Sequence, residues 1–469
     1  MFVAAIGAGR APRLRLQIGL PTRPDILPDI DEHGEQALDF VLSRHAIGGA
    51  AKSGITDHNS LATNQNTWSK MMKKPTENSP GHIYVSRRGF LTDTARLALA
   101  LGLSRTVPWS SVLAQTGTKS NKLIVRSENP QDLETPINLL DTWITPNDLF
   151  YVRSHIYTPK IDVGTWRLQI DGMVNQPLTL TLDDLKKYPE SMQVVTLECS
   201  GNGRAFYEPT VPGAQWEKGA VGNARWTGVR LADVLKHAGV KPGAKYITID
   251  GADVPMGKVP DFIRSLPIEK AMHPDTLLAM QMNGEPIPVS HGFPLRLIAS
   301  GWTGNNSVKW VTHITVADQP TDAFFYKTAY RYPTMPVAPG ATVDAANMVP
   351  LTTLAVKSSI TAPSPAAQFK PGPVMVKGIA YAGEADIVSV DVSTDLGATW
   401  KPATLGRDHA RYAWRLWEYN WTASNPGSYL IMSRAKDSTG RIQPMVQAWN
   451  PSGYLWNVVD KVRVTISKG

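Results

Sequence analysis

Apolar and polar positions alternate with period two in several short stretches of this chain, each closed by a turn signal. Trp166-Arg167-Leu168-Gln169-Ile170-Asp171-Gly172 alternates cleanly and ends in a turn, which predicts a strand. Val194-Val195-Thr196-Leu197 is a continuous apolar, β-branched run and predicts a buried strand. Tyr246-Ile247-Thr248-Ile249-Asp250-Gly251 predicts a strand running into a polar loop, and Met282-Asn283-Gly284-Glu285 predicts a hairpin turn. Leu149-Phe150-Tyr151-Val152-Arg153-Ser154-His155 carries a strand pattern with a basic tip. A helical stripe appears once, at Val229, Leu231, Val234, Leu235 and Ala238, and Gly239 closes it. Leu182-Asp183-Asp184-Leu185 opens a shorter helix, whereas residues 121–140 read as an irregular lead-in.

Beyond residue 350 the helical signal is gone. Pro363, Pro365, Pro371 and Pro373 mark a linker and a domain start. Val388-Ser389-Val390-Asp391-Val392-Ser393 then alternates, Asp395-Leu396-Gly397 turns, and Tyr412, Trp414 and Leu416 oppose Arg415 and Trp417. Short strands with regular turns predict an antiparallel, immunoglobulin-like β-sandwich. With 469 residues, two domains are the default, and 37 glycines and 36 prolines favour β structure rich in turns. The fold class expected is α+β and β-rich, with a first domain at 120–345 and the sandwich at 350–469.

The net charge of +8 changes little, because there is no long Lys/Arg run and no nucleic-acid motif. A scattered basic surface with a basic pocket for a small anion accounts for it. One cysteine excludes an internal disulfide, a multi-cysteine zinc site, an Fe–S cluster and a c-type haem attached to this chain. Ser86-Arg87-Arg88-Gly89-Phe90-Leu91 reads as a twin-arginine export signal. A mildly apolar stretch at 95–103, too short to span a bilayer, and a cleavage site at Val112-Leu113-Ala114 follow it. Residues 71–114 are therefore expected to be a signal peptide directing the protein to the periplasm, with no membrane span. Residues 1–70 read as a disordered or over-extended start ahead of Met71.

The single cysteine lies in Glu198-Cys199-Ser200-Gly201-Asn202-Gly203-Arg204, where a strand breaks into a sharp turn. A lone cysteine is most often a small buried hydrophobe. The other reading is a thiolate, favoured by Arg204 and the turn amides, and suited to one metal whose remaining ligands come from a cofactor. Arg153 and His155 read as a solvated strand end or as pocket residues, and Asp253 as a turn cap or a contact. His291 and Arg296 bracket a Gly-Phe-Pro turn and can converge on an anion. Ser307-Val308-Lys309-Trp310 adds a lysine and backbone amides suited to a phosphate.

Val194-Val195-Thr196-Leu197-Glu198-Cys199-Ser200-Gly201-Asn202-Gly203-Arg204 resembles the signature loop of the sulfite oxidase family of molybdenum enzymes. The resemblance runs from about Leu133 to the C-terminus. It implies that Cys199 binds molybdenum beside the dithiolene of a molybdopterin, one per chain. It implies cofactor contacts at Tyr151, Val152, Arg153, Ser154, His155 and Asp253, and a phosphate grip from His291, Arg296, Ser307, Val308 and Lys309. Arg153 and Arg204 would face a sulfite anion. Tyr330, with Tyr326 as the alternative, would be the active-site tyrosine. The second domain resembles the family's dimerisation domain, through Ala413-Trp414-Arg415-Leu416-Trp417 and Trp449-Asn450-Pro451. Some family members supply an anion-pocket arginine from this domain. Here residues 450–456 hold none, and Arg415 reads as structural. The function implied is periplasmic oxidation of sulfite to sulfate. Electrons would pass to a separate c-type cytochrome, in a homodimer or a heterodimer with a cytochrome subunit. A sulfane dehydrogenase is the nearest rival reading, and a non-catalytic secreted scaffold the most distant.

Overall fold

The computed structural model describes residues 118–468. The export signal and the extension before it lie outside the described residues. The chain is β-rich, as its turn-punctuated alternation implies.

The first domain is built on two five-stranded sheets. One runs Glu285–Pro286, Thr276–Met282, Val221–Arg230, Glu190–Glu198, with Arg296–Ala299 also paired to Thr276–Met282, all antiparallel. The other runs Leu178–Leu180, Leu168–Gly172, Val311–Ala317, Tyr246–Gly251, Arg264–Pro267, with one parallel pair, Leu168–Gly172 against Val311–Ala317. The helix Leu231–Ala238 buries Leu231, Val234, Leu235 and Ala238 in the cluster that also holds Leu168, Ile170, Ile247, Ile249 and Ile314. Gly239 ends it at φ 72°, and a Thr181/Asp184 capping box opens the short helix Leu182–Leu185. The hairpin turn stands at Asn283 (φ 57°) and Gly284 (φ 87°), a pair that accepts positive φ.

The lead-in is not irregular: Ile124–Ser127 and Asp132–Glu134 pair with each other and with Val152–Arg153 in a small sheet. The strand expected over 149–155 shrinks to those two residues. The Leu149 and Phe150 amides both turn back to the Pro146 carbonyl, and Lys119 takes the Phe150 carbonyl.

The second domain packs Lys357–Ala362, Gly372–Tyr381, Arg415–Ala423 and Thr404–Leu405 in one sheet. Its other sheet is Gln368–Phe369, Asp460–Ile466, Gly427–Asp437, Ile387–Ser393 and Lys401–Pro402. These are the two layers of an immunoglobulin-like sandwich, closed over Val376, Val390, Trp417, Ile431 and Val464. The sandwich starts at Lys357, so Pro363 and Pro365 lie inside it, between its first strands, and are not a linker. Tyr412 and Trp414 also precede the Arg415–Ala423 strand rather than alternating along it. Both are drawn into contact with the first domain: Trp414 joins Leu140, Val221, Ile379 and Tyr381 in a buried cluster, and Tyr412 pairs with Val195.

Candidate active site

The strand Glu190–Glu198 ends one residue before Cys199, whose thiol is buried at the wall of a cavity. The loop after it is fixed from several sides. Glu198 Oε1 accepts from Lys357 Nζ (2.8 Å), Tyr381 Oη (2.7 Å) and Asn202 Nδ2 (2.9 Å). Ser200 Oγ donates to Asn305 Oδ1 at 2.5 Å, and the Ser200 carbonyl accepts from Leu455 N–H at 2.9 Å. Gly203 is required twice: its φ is 96°, and a Cβ there would fall 2.4 Å from Trp456. Burial pushes the Cys199 thiol pKa up, and outweighs Arg153, Arg204 and the Gly201 amide, which pull it down. Arg204 and the turn amide do favour the thiolate, as expected, but desolvation outweighs them until a cation arrives.

Opposite charge is scarce around a strongly cationic cavity. Arg153 Nη1 donates to Asp132 (3.0 Å) and to the Ser154 carbonyl (2.7 Å). Lys309 Nζ donates to Ser154 Oγ (3.0 Å) and the Ser290 carbonyl (3.1 Å), and lies 4.0 Å from the Trp310 ring centre. Burial lowers the Lys309 pKa to about 7 and raises that of Asp253 to about 6, each moderated by the other's charge. Arg296 Nη1 donates to the His291 carbonyl (2.9 Å), while its buried Nε has no partner among the described residues. His291 Nε2 is 2.6 Å from Lys119 Nζ, which also donates to the Asn147 and Phe150 carbonyls. Burial takes the Lys119 pKa to about 7 and that of His291 well below the usual range.

These lysines carry a pH signature. In the cofactor-free folded chain they shed protons near pH 7, whereas unfolded lysines keep theirs to about 10.4. The unfolded state therefore binds more protons across that window, and stability rises with pH. The urea midpoint of the cofactor-free protein is expected to be higher at pH 9 than at pH 7; an equal or lower midpoint contradicts the assignment.

Tyr330 stands at the other end, buried, with its hydroxyl hydrogen-bonded to His155 Nε2. Burial keeps the phenol well above its usual pKa and His155 well below its own, so both are neutral near pH 7. Tyr326 does not line the cavity; it packs against Arg264, and of the two tyrosines only Tyr330 does.

Of the residues picked out in the sequence, the cavity brings together Cys199, Tyr151, Arg153, His155, Asp253, His291, Arg296, Ser307, Lys309 and Tyr330. Val152 and Val308 are buried behind it, and Ser154 supports Lys309. Arg204 does not line it. Its Nε donates to the Ser452 carbonyl and its Nη1 to the Ala214 carbonyl, both at 3.0 Å, and it lies over the Tyr454 ring. Arg415 donates to the Gly406 carbonyl, away from the site. Lys119, Asn305, Phe262, Lys357, Tyr381 and Tyr454 were not picked out. Asn305 lies two residues from Ser307 and was within reach of a motif; the others carry no local signal.

A family model for the oxidoreductase molybdopterin binding domain matches residues 155–325, and one for the Mo-co oxidoreductase dimerisation domain matches 349–467. The chain is 36% identical to mitochondrial sulfite oxidase of Drosophila melanogaster over 76% of this chain and 65% of that protein. It is 35% identical to sulfite oxidase of Gallus gallus over 71% of this chain and 76% of that one. The chain belongs to the sulfite oxidase family. Other relatives carry other names: Nitrate reductase [NADH] 1 of Oryza sativa subsp. japonica is 32% identical over 76% of this chain and 42% of that protein. Among solved structures, the sulfane dehydrogenase SoxCD of Paracoccus pantotrophus superposes with a TM-score of 0.64. It is 29% identical and covers 74% of this chain and 87% of its own.

The cofactor of this family is Mo-molybdopterin, and the residues here fit it. Among the described residues no group of three His, Cys, Asp or Glu side chains could hold a metal by itself. One buried thiol must then share the metal with ligands brought by the cofactor. Arg296 Nε and Asn305 Nδ2, which have no partner among the described residues, and two lysines of lowered pKa are donors suited to an anionic group that a phosphate would satisfy. Cys199 would hold the metal, and His291, Arg296, Lys309 and Ser307 the phosphate end. No helix among the described residues is long and apolar enough to cross a membrane.

Proposed function

We propose that this chain oxidises sulfite to sulfate in the periplasm, as a dimer formed through its second domain, and passes electrons to a separate c-type cytochrome. The observation that carries the reading is the cavity itself: one thiol and a cluster of buried cations, partly balanced by Asp132 and Asp253. Oxygen comes from water, and two protons and two electrons leave as sulfite becomes sulfate. When bound, Mo-molybdopterin supplies the oxygen-atom transfer and accepts both electrons. Arg153 binds the anion by charge-assisted hydrogen bonds, each contributing about 1.5–3 kcal/mol. Asp132 orients the guanidinium from behind. The Tyr330 hydroxyl donates its one proton to Nε2 of neutral His155, and its oxygen can accept the proton released as water gives up its oxygen, so the pair carries that proton away from the reacting centre.

A second reading, oxidation of a carrier-bound sulfane, is supported by the likeness to SoxCD over 87% of that chain. The test is turnover of molybdenum-loaded protein with sulfite and with thiosulfate-linked substrate, using cytochrome c as acceptor. Sulfite oxidation is expected, and Arg153→Gln is expected to raise its KM about tenfold, the equivalent of about 1.4 kcal/mol. Turnover confined to the thiosulfate-linked substrate moves the reading to sulfane, and an unchanged KM removes Arg153 from the anion site.

A further inference from the structure

Tyr330 belongs to a ladder of rings and guanidinium groups that reaches into the second domain. The Tyr330 and Tyr454 rings are stacked, 5.4 Å apart and 15° from parallel. Each carries a guanidinium over it: Arg204 at 5.3 Å from the Tyr454 centroid, Arg264 at 5.4 Å from that of Tyr330. Arg264 also lies 5.2 Å from the Tyr326 ring. It is wholly buried, and among the described residues no carboxylate is its partner. Nη1 donates to the Phe325 carbonyl, Nη2 to Asn306 Oδ1 at 2.9 Å, and Nε has no partner among the described residues. A desolvated guanidinium in that position depends on the ring faces for its stabilisation.

Tyr330 has its own reason to need support. Its φ is 57°, a left-handed conformation that an aromatic residue seldom adopts and keeps only where its surroundings fix it. Tyr454 is held firmly enough to supply that fixing. Its carbonyl accepts from Tyr207 Oη (2.6 Å) and Asn450 Nδ2 (2.9 Å), and its amide donates to Asn450 Oδ1 (2.9 Å). Its hydroxyl faces the Tyr330 backbone amide. The flanking Leu455 and Ser452 bond to Ser200 and Arg204 of the cysteine loop. One segment of the second domain thus touches both Tyr330 and the loop that presents Cys199.

We propose that Tyr454 is a positioning residue: through the stack, with Arg264 on the Tyr330 ring, it fixes where the Tyr330 hydroxyl points, so the second domain completes the reacting site. This rests on the reading that Tyr330 acts on the substrate. The test is a double-mutant cycle in steady-state sulfite oxidation, on molybdenum-loaded protein with metal content and circular dichroism matched to the parent. Tyr454→Leu is expected to lower kcat about tenfold with KM within about twofold, and Tyr454→Phe, which keeps the ring, to stay within about threefold of the parent. In a Tyr330→Phe background Tyr454→Leu should cause no further loss, because the hydroxyl it orients is gone. An equal loss in both backgrounds, or a Phe variant as poor as the Leu one, overturns the proposal. A fully active Tyr330→Phe instead refutes the role of Tyr330 beneath it. Should Tyr454→Leu not fold, Tyr454→Met goes through the same comparison.

Discussion

Cys199→Ser is expected to abolish turnover while the protein stays folded. The thiol is buried at the end of a strand whose ladder does not depend on it, and a serine occupies less space in the same place. What changes is the donor. Burial already holds the thiol above its usual pKa, and a bound cation is what drives the proton off. A hydroxyl is far harder to deprotonate and gives a hard oxygen donor in place of a soft sulfur. The loss should exceed the ~10–100-fold typical of removing an outer-shell partner of a metal. Steady-state sulfite oxidation, beside molybdenum content and a urea midpoint, checks this. Retained turnover would remove Cys199 from the chemistry.

The largest effect on stability is expected at Lys357→Met. Lys357 Nζ and Glu198 Oε1 form an ion pair across the domain boundary, with side chains only 5% and 8% exposed. Removing the cation strands a buried carboxylate, which Tyr381 and Asn202 alone cannot balance. Breaking such a pair costs about 3–5 kcal/mol. Replacing both partners, with Glu198→Leu added, should recover much of the loss, because the penalty belongs to the stranded charge rather than to the missing bond. Urea unfolding of the parent and the two variants decides it: a Lys357→Met variant within about 1 kcal/mol of the parent shows that the pair is not desolvated as drawn.

Much of the fold was legible because its signals are local. The cysteine strand, the Leu231–Ala238 helix with its glycine stop, the Asn283-Gly284 turn and the alternation of the sandwich are each written within ten or so residues. The cavity residues near His291, Ser307 and Cys199 were legible through motifs of the same length. Lys357 sits 159 positions from Glu198, and Lys119 sits 172 from His291; no local pattern announces either. Lys119 in particular looks like any basic residue of a lead-in, and only the folded chain shows three acceptors converging on its ammonium. Arg204 shows the converse. Its place next to the cysteine in sequence suggests a cavity cation, yet backbone carbonyls from two loops and the Tyr454 ring hold it behind the wall.

The pairing of Tyr412 with Val195 bears on how the two domains must be inherited. Glu190–Glu198 is the outermost strand of its sheet, so one side of its backbone would otherwise offer free hydrogen-bonding groups to any passing chain. The second domain occupies part of that side: the Thr196 amide donates to the Tyr412 carbonyl at 2.8 Å, beside the Val195–Tyr412 bridge. The strand thus shielded is the one that delivers the cysteine. A first domain expressed alone would expose an apolar strand ready to pair with its own copies. Self-association should then set in before any loss of the cavity, and the sandwich serves as a guard against aggregation as well as a support behind Tyr330 and the cysteine loop.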